Sequence, residues 1–142
     1  MRSPTIFAGA IAVLLAGALL ARPLSSAAVD QAELAKPIFA EKLPNVPGRT
    51  LTAVVVTYAP GARSAKRHHA GSVFAYVLSG EIRSQNSATG PARIYHTGEA
   101  FFEPSGSEHL ISENASASEP ASLLAVFVPD DGAALKTIDP SA

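Results

Sequence analysis

From residue 51 onward the chain is a train of short β-branched and aromatic segments, each closed by turn-forming residues. LTAVVVTY (51–58) ends at Pro60-Gly61, VFAYVLS (73–79) at Gly80-Glu81, and EIRSQN (81–86) at the polar SATGP. ARIYH (92–96) ends at Thr97-Gly98, and EAFFE (99–103) at Pro104-Ser105-Gly106. EHLISEN (108–114) runs into ASASEP, and ASLLAVFV (121–128) into PDDG. β-branched and aromatic side chains favour a pleated, half-buried surface, and Gly and Pro punctuate it. Seven or eight such strands at roughly 8–12-residue spacing predict an all-β sandwich or barrel. No stretch after residue 50 carries a helical period.

The ends of the chain read differently. Met1 and Arg2 place a positive charge ahead of IFAGAIAVLLAGALLA (Ile6 to Ala21), which has no charged residue, and Ser26-Ala27-Ala28 fits the small-x-small rule of a signal peptidase site. Residues 1–28 are therefore expected to be a cleaved secretory signal. The alternative is an uncleaved membrane anchor, but the stretch is short for a span and rich in Ala and Gly. Residues 29–50 are expected to form an arm across the domain. DQAELAK offers one helical turn capped by Asp30, and Pro37, Pro44 and Pro47 prevent a longer helix. Residues 51–128 then make the β-domain, and 129–142, ending in AALKTIDPSA, a short tail.

Removing the signal leaves about 114 residues, enough for one domain with a real core. It takes away Arg2 and Arg22 and no acidic residue, so the mature chain is slightly acidic. No basic cluster marks a nucleic-acid or anionic-membrane partner. The absence of cysteine excludes disulfides, thiolate metal sites and cysteine nucleophiles, and an exported chain of this kind fits a bacterial periplasm, or secretion, best.

GEAFFEPSGSEHLISEN (98–114) sets Gly98, five residues, Pro104, one residue, Gly106, two residues and His109 in order. This resembles the second motif of the cupin superfamily at all four positions, with Glu113 where that motif has an asparagine and Asn114 one place later. Gly61, His69 and Gly80 match the first motif, in which a His-x-His pair and a Glu precede the closing glycine. Arg67 stands at the place of the first histidine and Val73 at the place of the Glu. The resemblance covers residues 51–128. It implies an antiparallel β-barrel of jelly-roll type, a small-molecule ligand or substrate in the barrel, and a homodimer.

It also implies that His69 and His109, from neighbouring strands, point into one cavity. Two imidazoles there suit a single divalent metal such as Zn, Fe, Mn, Ni or Cu, although even open sites usually have three protein ligands. Glu103, on the face of Phe101, is the candidate for the third ligand; the alternative is an exposed rim glutamate. Strand alternation puts Arg67 and His69 on one side and His68 on the other, toward solvent. Arg67 facing the cavity would anchor a carboxylate; facing out, it is a solvated residue at the barrel mouth. His96, before a turn, reads as a surface histidine. Phe74, Tyr76, Phe101, Phe102 and Phe127 read as core, with one or two lining the cavity. Two functions remain open: a metal-dependent enzyme such as an oxygenase, and a periplasmic module that binds or senses a small polar or anionic molecule without catalytic metal.

Overall fold

The computed structural model describes residues 33–138. The expected signal segment, Asp30 and the last residues of the tail lie outside that range. Among the described residues there are ten strands and no helix. β1 (Glu33–Lys42), β2 (Thr50–Tyr58), β9 (Ala121–Val128), β4 (Ser72–Ser79) and β7 (Ala100–Glu103) form one antiparallel sheet, in the order β1-β2-β9-β4-β7. β10 (Thr137–Ile138), β3 (Arg67–His68), β8 (Glu108–Asn114), β5 (Glu81–Asn86) and β6 (Arg93–His96) form the other, in the order β10-β3-β8-β5-β6. The two sheets hold the core between them as in a jelly roll, and hydrogen bonding does not close them into one continuous barrel.

All seven segments of the opening train are strands. The turn residues end them for a local reason. Gly80, between β4 and β5, has φ of 69°, and a Cβ there would lie 2.7 Å from the carbonyl oxygen of Pro120. Only a residue without a side chain fits.

Three findings correct the expectations for the flanks and the aromatics. The segment expected as an arm crosses the domain as a strand, paired with β2 along its whole length, so residues 33–36 are extended rather than a helical turn. Pro37 lies on this edge strand, and the register slips between Pro37 and Phe39. A missing N–H and a bulge are tolerated at an edge, and they also blunt it against pairing with another chain. The tail is not loose either: Thr137 and Ile138 pair with His68 and Arg67 and add the last strand to the second sheet.

The third correction concerns β4. Its inward residues are the small ones, Val73, Ala75 and Val77, all buried, whereas Phe74 and Tyr76 are exposed on the outer face beside Phe102. Both faces of β4 are apolar, so alternation alone does not say which is inward. The narrow space between the sheets takes the smaller set.

Candidate metal centre and ligand cavity

Between the sheets lies a cavity of about 150 Å³. Its walls are mostly apolar, with Val54, Val73, Phe101, Leu123 and Phe127 among them. Its polar groups gather at two places.

The first place unites the sequence candidates. His109 is on β8, 3 % exposed, directly opposite Arg67 of β3. His69 follows β3 by one residue, with its side chain only 8 % exposed. Glu103 ends β7 in the other sheet and is 3 % exposed. Alternation along β7 turns Glu103 inward with Phe101, as expected, and leaves Phe102 exposed on the outer face, which corrects its reading as core. One ligand atom from each of His69, Glu103 and His109 lies within 4.8 Å of the others. His68 is exposed, on the opposite side of the strand from Arg67. His96 is also at the surface, beside Glu81 at 3.2 Å.

The orientation of each ring is set by a neighbour outside the cluster. Nδ1 of His69 lies 2.9 Å from the carbonyl oxygen of Leu135. A carbonyl only accepts, so Nδ1 carries the proton and the neutral ring turns its Nε2 lone pair toward Glu103 Oε2, 3.7 Å away. Nε2 of His109 is 3.1 Å from Ser84 Oγ, which leaves its Nδ1 to approach Glu103 Oε1 at 3.0 Å. That approach is close, but it is misdirected as a hydrogen bond. Nδ1 of His109 and Oε2 of Glu103 are both buried without a hydrogen-bond partner.

Burying such atoms unpaired costs about 1–3 kcal/mol each, so a native structure with two of them in one cluster calls for a missing partner. A divalent cation satisfies the chemistry. Separations of 3.0 and 3.7 Å are those of two donors that each bind one ion at about 2 Å. Two imidazoles and a carboxylate form a set suited to Zn or non-haem Fe.

The electrostatics keep the set in its ligating form. Burial is the largest influence on His69 and lowers its pKa, with Arg67 and His109 adding to the effect; the Leu135 hydrogen bond and Glu103 oppose it without reversing it. For Glu103, burial by itself acts to raise the pKa. The contact with His109 and the positive field of His109, His69 and Arg67 outweigh it, so the carboxyl is held below its usual range. Burial thus favours the neutral ring of His69, and its surroundings favour the ionised carboxylate of Glu103.

Arg67 is 6 % exposed and lines the cavity, which decides between its two sequence readings in favour of the inward one. Val73 also lines the cavity, and in the β4–β7 register it stands directly opposite Glu103. Directly opposed residues on one face of a sheet have Cβ atoms only about 4.5–5.5 Å apart. The carboxylate absent from position 73 is thus supplied from the adjacent strand.

The second polar place was not foreseen from the sequence. Tyr58, fully buried, bonds Ser112 Oγ at 2.7 Å and Ser64 Oγ at 2.9 Å. Ser64 donates to Glu33 Oε2, and Lys136 stands 3.9 Å from the other oxygen of Glu33. Isolated hydroxyls in polar segments give no sequence signal; only the folding of β1 and the tail over the sheets assembles them. Asn114 is likewise structural: its side chain donates to the carbonyls of Ala59 and Glu119 and accepts from Ser116 N–H.

Two antiparallel sheets enclosing a core, with a buried His/Glu/His cluster beside an apolar cavity, have the architecture of a cupin domain. The family model for the cupin domain matches residues 54–127, and the chain belongs to the cupin superfamily. None of the curated proteins compared by sequence matches it. Among solved structures, a protein of Thermus thermophilus is 28 % identical, with a TM-score of 0.55 over 70 % of this chain and 85 % of that one. The DMSP lyase DddQ of Ruegeria pomeroyi is 21 % identical, with a TM-score of 0.62 over 81 % of this chain but only 55 % of the lyase. An RmlC-like cupin of Shewanella frigidimarina is 21 % identical, with a TM-score of 0.50 over 66 % and 86 % of the two chains. At identities this low the last two establish the fold and nothing finer.

Proposed function

We propose that this protein is a metal-dependent cupin in which His69, Glu103 and His109 hold one divalent cation, drawn from Zn, Fe, Mn, Ni and Cu, and in which a small molecule is bound and turned over in the adjoining cavity. The observation that carries this reading is the pair of buried, unpartnered donors, His109 Nδ1 and Glu103 Oε2, beside a His69 ring whose proton is fixed on the far side by Leu135. A three-ligand set leaves positions open for substrate, the arrangement common to catalytic zinc and to non-haem iron oxygenases. When bound, the cation would supply Lewis acidity or, as iron, redox chemistry. The chain's own residues orient the rings through Leu135 and Ser84, exclude water with the apolar walls, and keep the carboxylate ionised.

A second reading is a binding or sensing module without catalytic metal. Arg67 favours it, because a fixed buried cation occupies the position where the family's additional histidine donor would stand and opposes a dication nearby. Metal analysis of protein purified without an affinity tag separates the two. The metal-dependent reading expects about one divalent ion per chain, lost in His109→Ala; a chain purified free of metal that also takes up none on titration would leave the binding module.

We further propose export to the periplasm or beyond the cell, supported by the charged start, the uncharged apolar run and the Ser26-Ala27-Ala28 pattern of residues 1–28. Mass spectrometry of the mature protein should find an N-terminus at or near Val29, whereas an intact Met1 in the membrane fraction would overturn the proposal.

A further inference from the structure

The proposed metal leaves Arg67 unexplained, and Arg67 is costly. It is 6 % exposed, and its Nε is buried without any hydrogen-bond partner. Nη1 reaches the carbonyl of Ala65 at 3.2 Å, and among the described residues no carboxylate forms an ion pair with the guanidinium. An arginine this deep is ordinarily paired, because removing a charge from water costs several kcal/mol unless another charge or a full set of hydrogen bonds compensates it. Here the side chain lines the cavity, opposite His109 in the strand register and near enough to His69 and Glu103 to act on their charges.

The charges around the cavity do not balance once an ion is bound. Arg67 and Glu103 offset one another, and Lys136 stands beside Glu33. A dication added to this set leaves an excess of two positive charges in an enclosure with apolar walls. Resting on the reading of this cavity as a ligand pocket, we propose that its occupant is a small monocarboxylate with a compact apolar body, its carboxylate held by the Arg67 guanidinium and its body packed against Val54, Val73, Leu123 and Phe127.

Each part of that description follows from a feature of the cavity. The planar fork with an unused Nε–H matches a carboxylate, and Nε and one Nη together make the two parallel bonds of a bidentate pair. The apolar walls reward a hydrocarbon body and penalise further polar groups, which would find no partners there. A volume of about 150 Å³ is comparable to a cavity that takes a single benzene ring, so the body is limited to a few carbon atoms.

The experiment uses isobutyrate and isobutyramide, which have the same shape and the same number of heavy atoms and differ in charge. Their dissociation constants are measured by calorimetry or NMR titration on the full-length protein, first stripped with chelator and then loaded with zinc. The expected result is a preference for the carboxylate of about ten- to hundredfold in both states, the range of a charged hydrogen-bonded pair. Arg67→Lys retains the charge and loses the fork, so it should reduce that preference, read as the ratio of the two dissociation constants, about tenfold. Equal binding of the two probes, or no binding of either, by the native protein overturns the proposal, and that comparison needs no variant to fold. A preference that disappears on stripping and is untouched by Arg67→Lys also overturns it, since the metal alone would then hold the carboxylate. The outcomes separate this proposal from the metal reading. A chain that takes no zinc yet prefers isobutyrate sustains the arginine anchor and sinks the metal centre. A chain that takes zinc without preferring isobutyrate does the reverse.

Discussion

The two polar regions of the cavity wall are built from similar materials and end in opposite states. Around Tyr58 each hydroxyl meets another group: Tyr58 with Ser112 and Ser64, and Ser64 with Glu33. Around Glu103 the groups are as deeply buried, yet His109 Nδ1 and Glu103 Oε2 have no partner. A satisfied buried network fixes the fold, whereas a converging set of unsatisfied donors stores the capacity to bind something. Burial and polarity alone do not tell a structural cluster from a functional one; the count of unmet hydrogen bonds does.

The largest effects should come from the unsatisfied end. His109→Ala and Glu103→Val each remove a ligand and should abolish metal uptake, read by metal analysis and zinc calorimetry, with little change in the circular-dichroism spectrum. Val73→Glu in the Glu103→Val background returns a carboxylate from the directly opposed position and should restore uptake in part. A double variant that stays empty would show that the backbone geometry at Glu103, and not merely a carboxylate in that part of the wall, makes the site.

Tyr58→Phe tests the satisfied end. It leaves the Ser112 and Ser64 hydroxyls short of a partner and should cost about 1–3 kcal/mol in urea unfolding, with zinc affinity unchanged. A loss of zinc affinity there would mean that the two ends act as one unit.

Ser84→Ala removes the group that fixes the His109 ring without removing a ligand. Partners of this kind typically contribute ten- to hundredfold in metal affinity, and a loss of about tenfold is expected here.

Acidification of the metal-free protein should have the smallest effect. His69 and Glu103 both have folded-state pKa values below their ordinary ones, so below those ordinary values the unfolded chain binds more protons than the folded one. The His69 contribution is fully present above pH 6.5 and fades as pH falls through it; the Glu103 contribution is present above pH 4.5 and fades below it. The melting temperature of chelator-treated protein should therefore drop on going from pH 7.5 toward 5, and zinc, which binds only deprotonated ligands and so raises the melting temperature most at the higher pH, should steepen the drop. A melting temperature that rises over this interval would reverse the sign assigned to His69.

Much of this was legible in the linear sequence because it is local. Turn residues and β-branched runs mark seven strands, and alternation along RHHA and EAFFE separates His69 and Glu103 from His68 and Phe102, since successive side chains on a strand face opposite ways. The spacing from Gly98 to His109 carries the cupin resemblance. What the sequence left open depends on neighbours remote in the chain. Alternation sorts β4 into two apolar sets without saying which one faces inward, and it is the second sheet that selects Val73, Ala75 and Val77 over Phe74 and Tyr76. Residues 33–42 have little strand character of their own and become β1 only because β2 offers an unpaired edge. The proton on His69 is set by the carbonyl of Leu135, 66 residues away, and the carboxylate of the cluster reaches its place from the strand beside Val73. Periodicity and turn chemistry are written in adjacent residues; facing, register and the pairing of buried polar atoms arise only when distant segments meet.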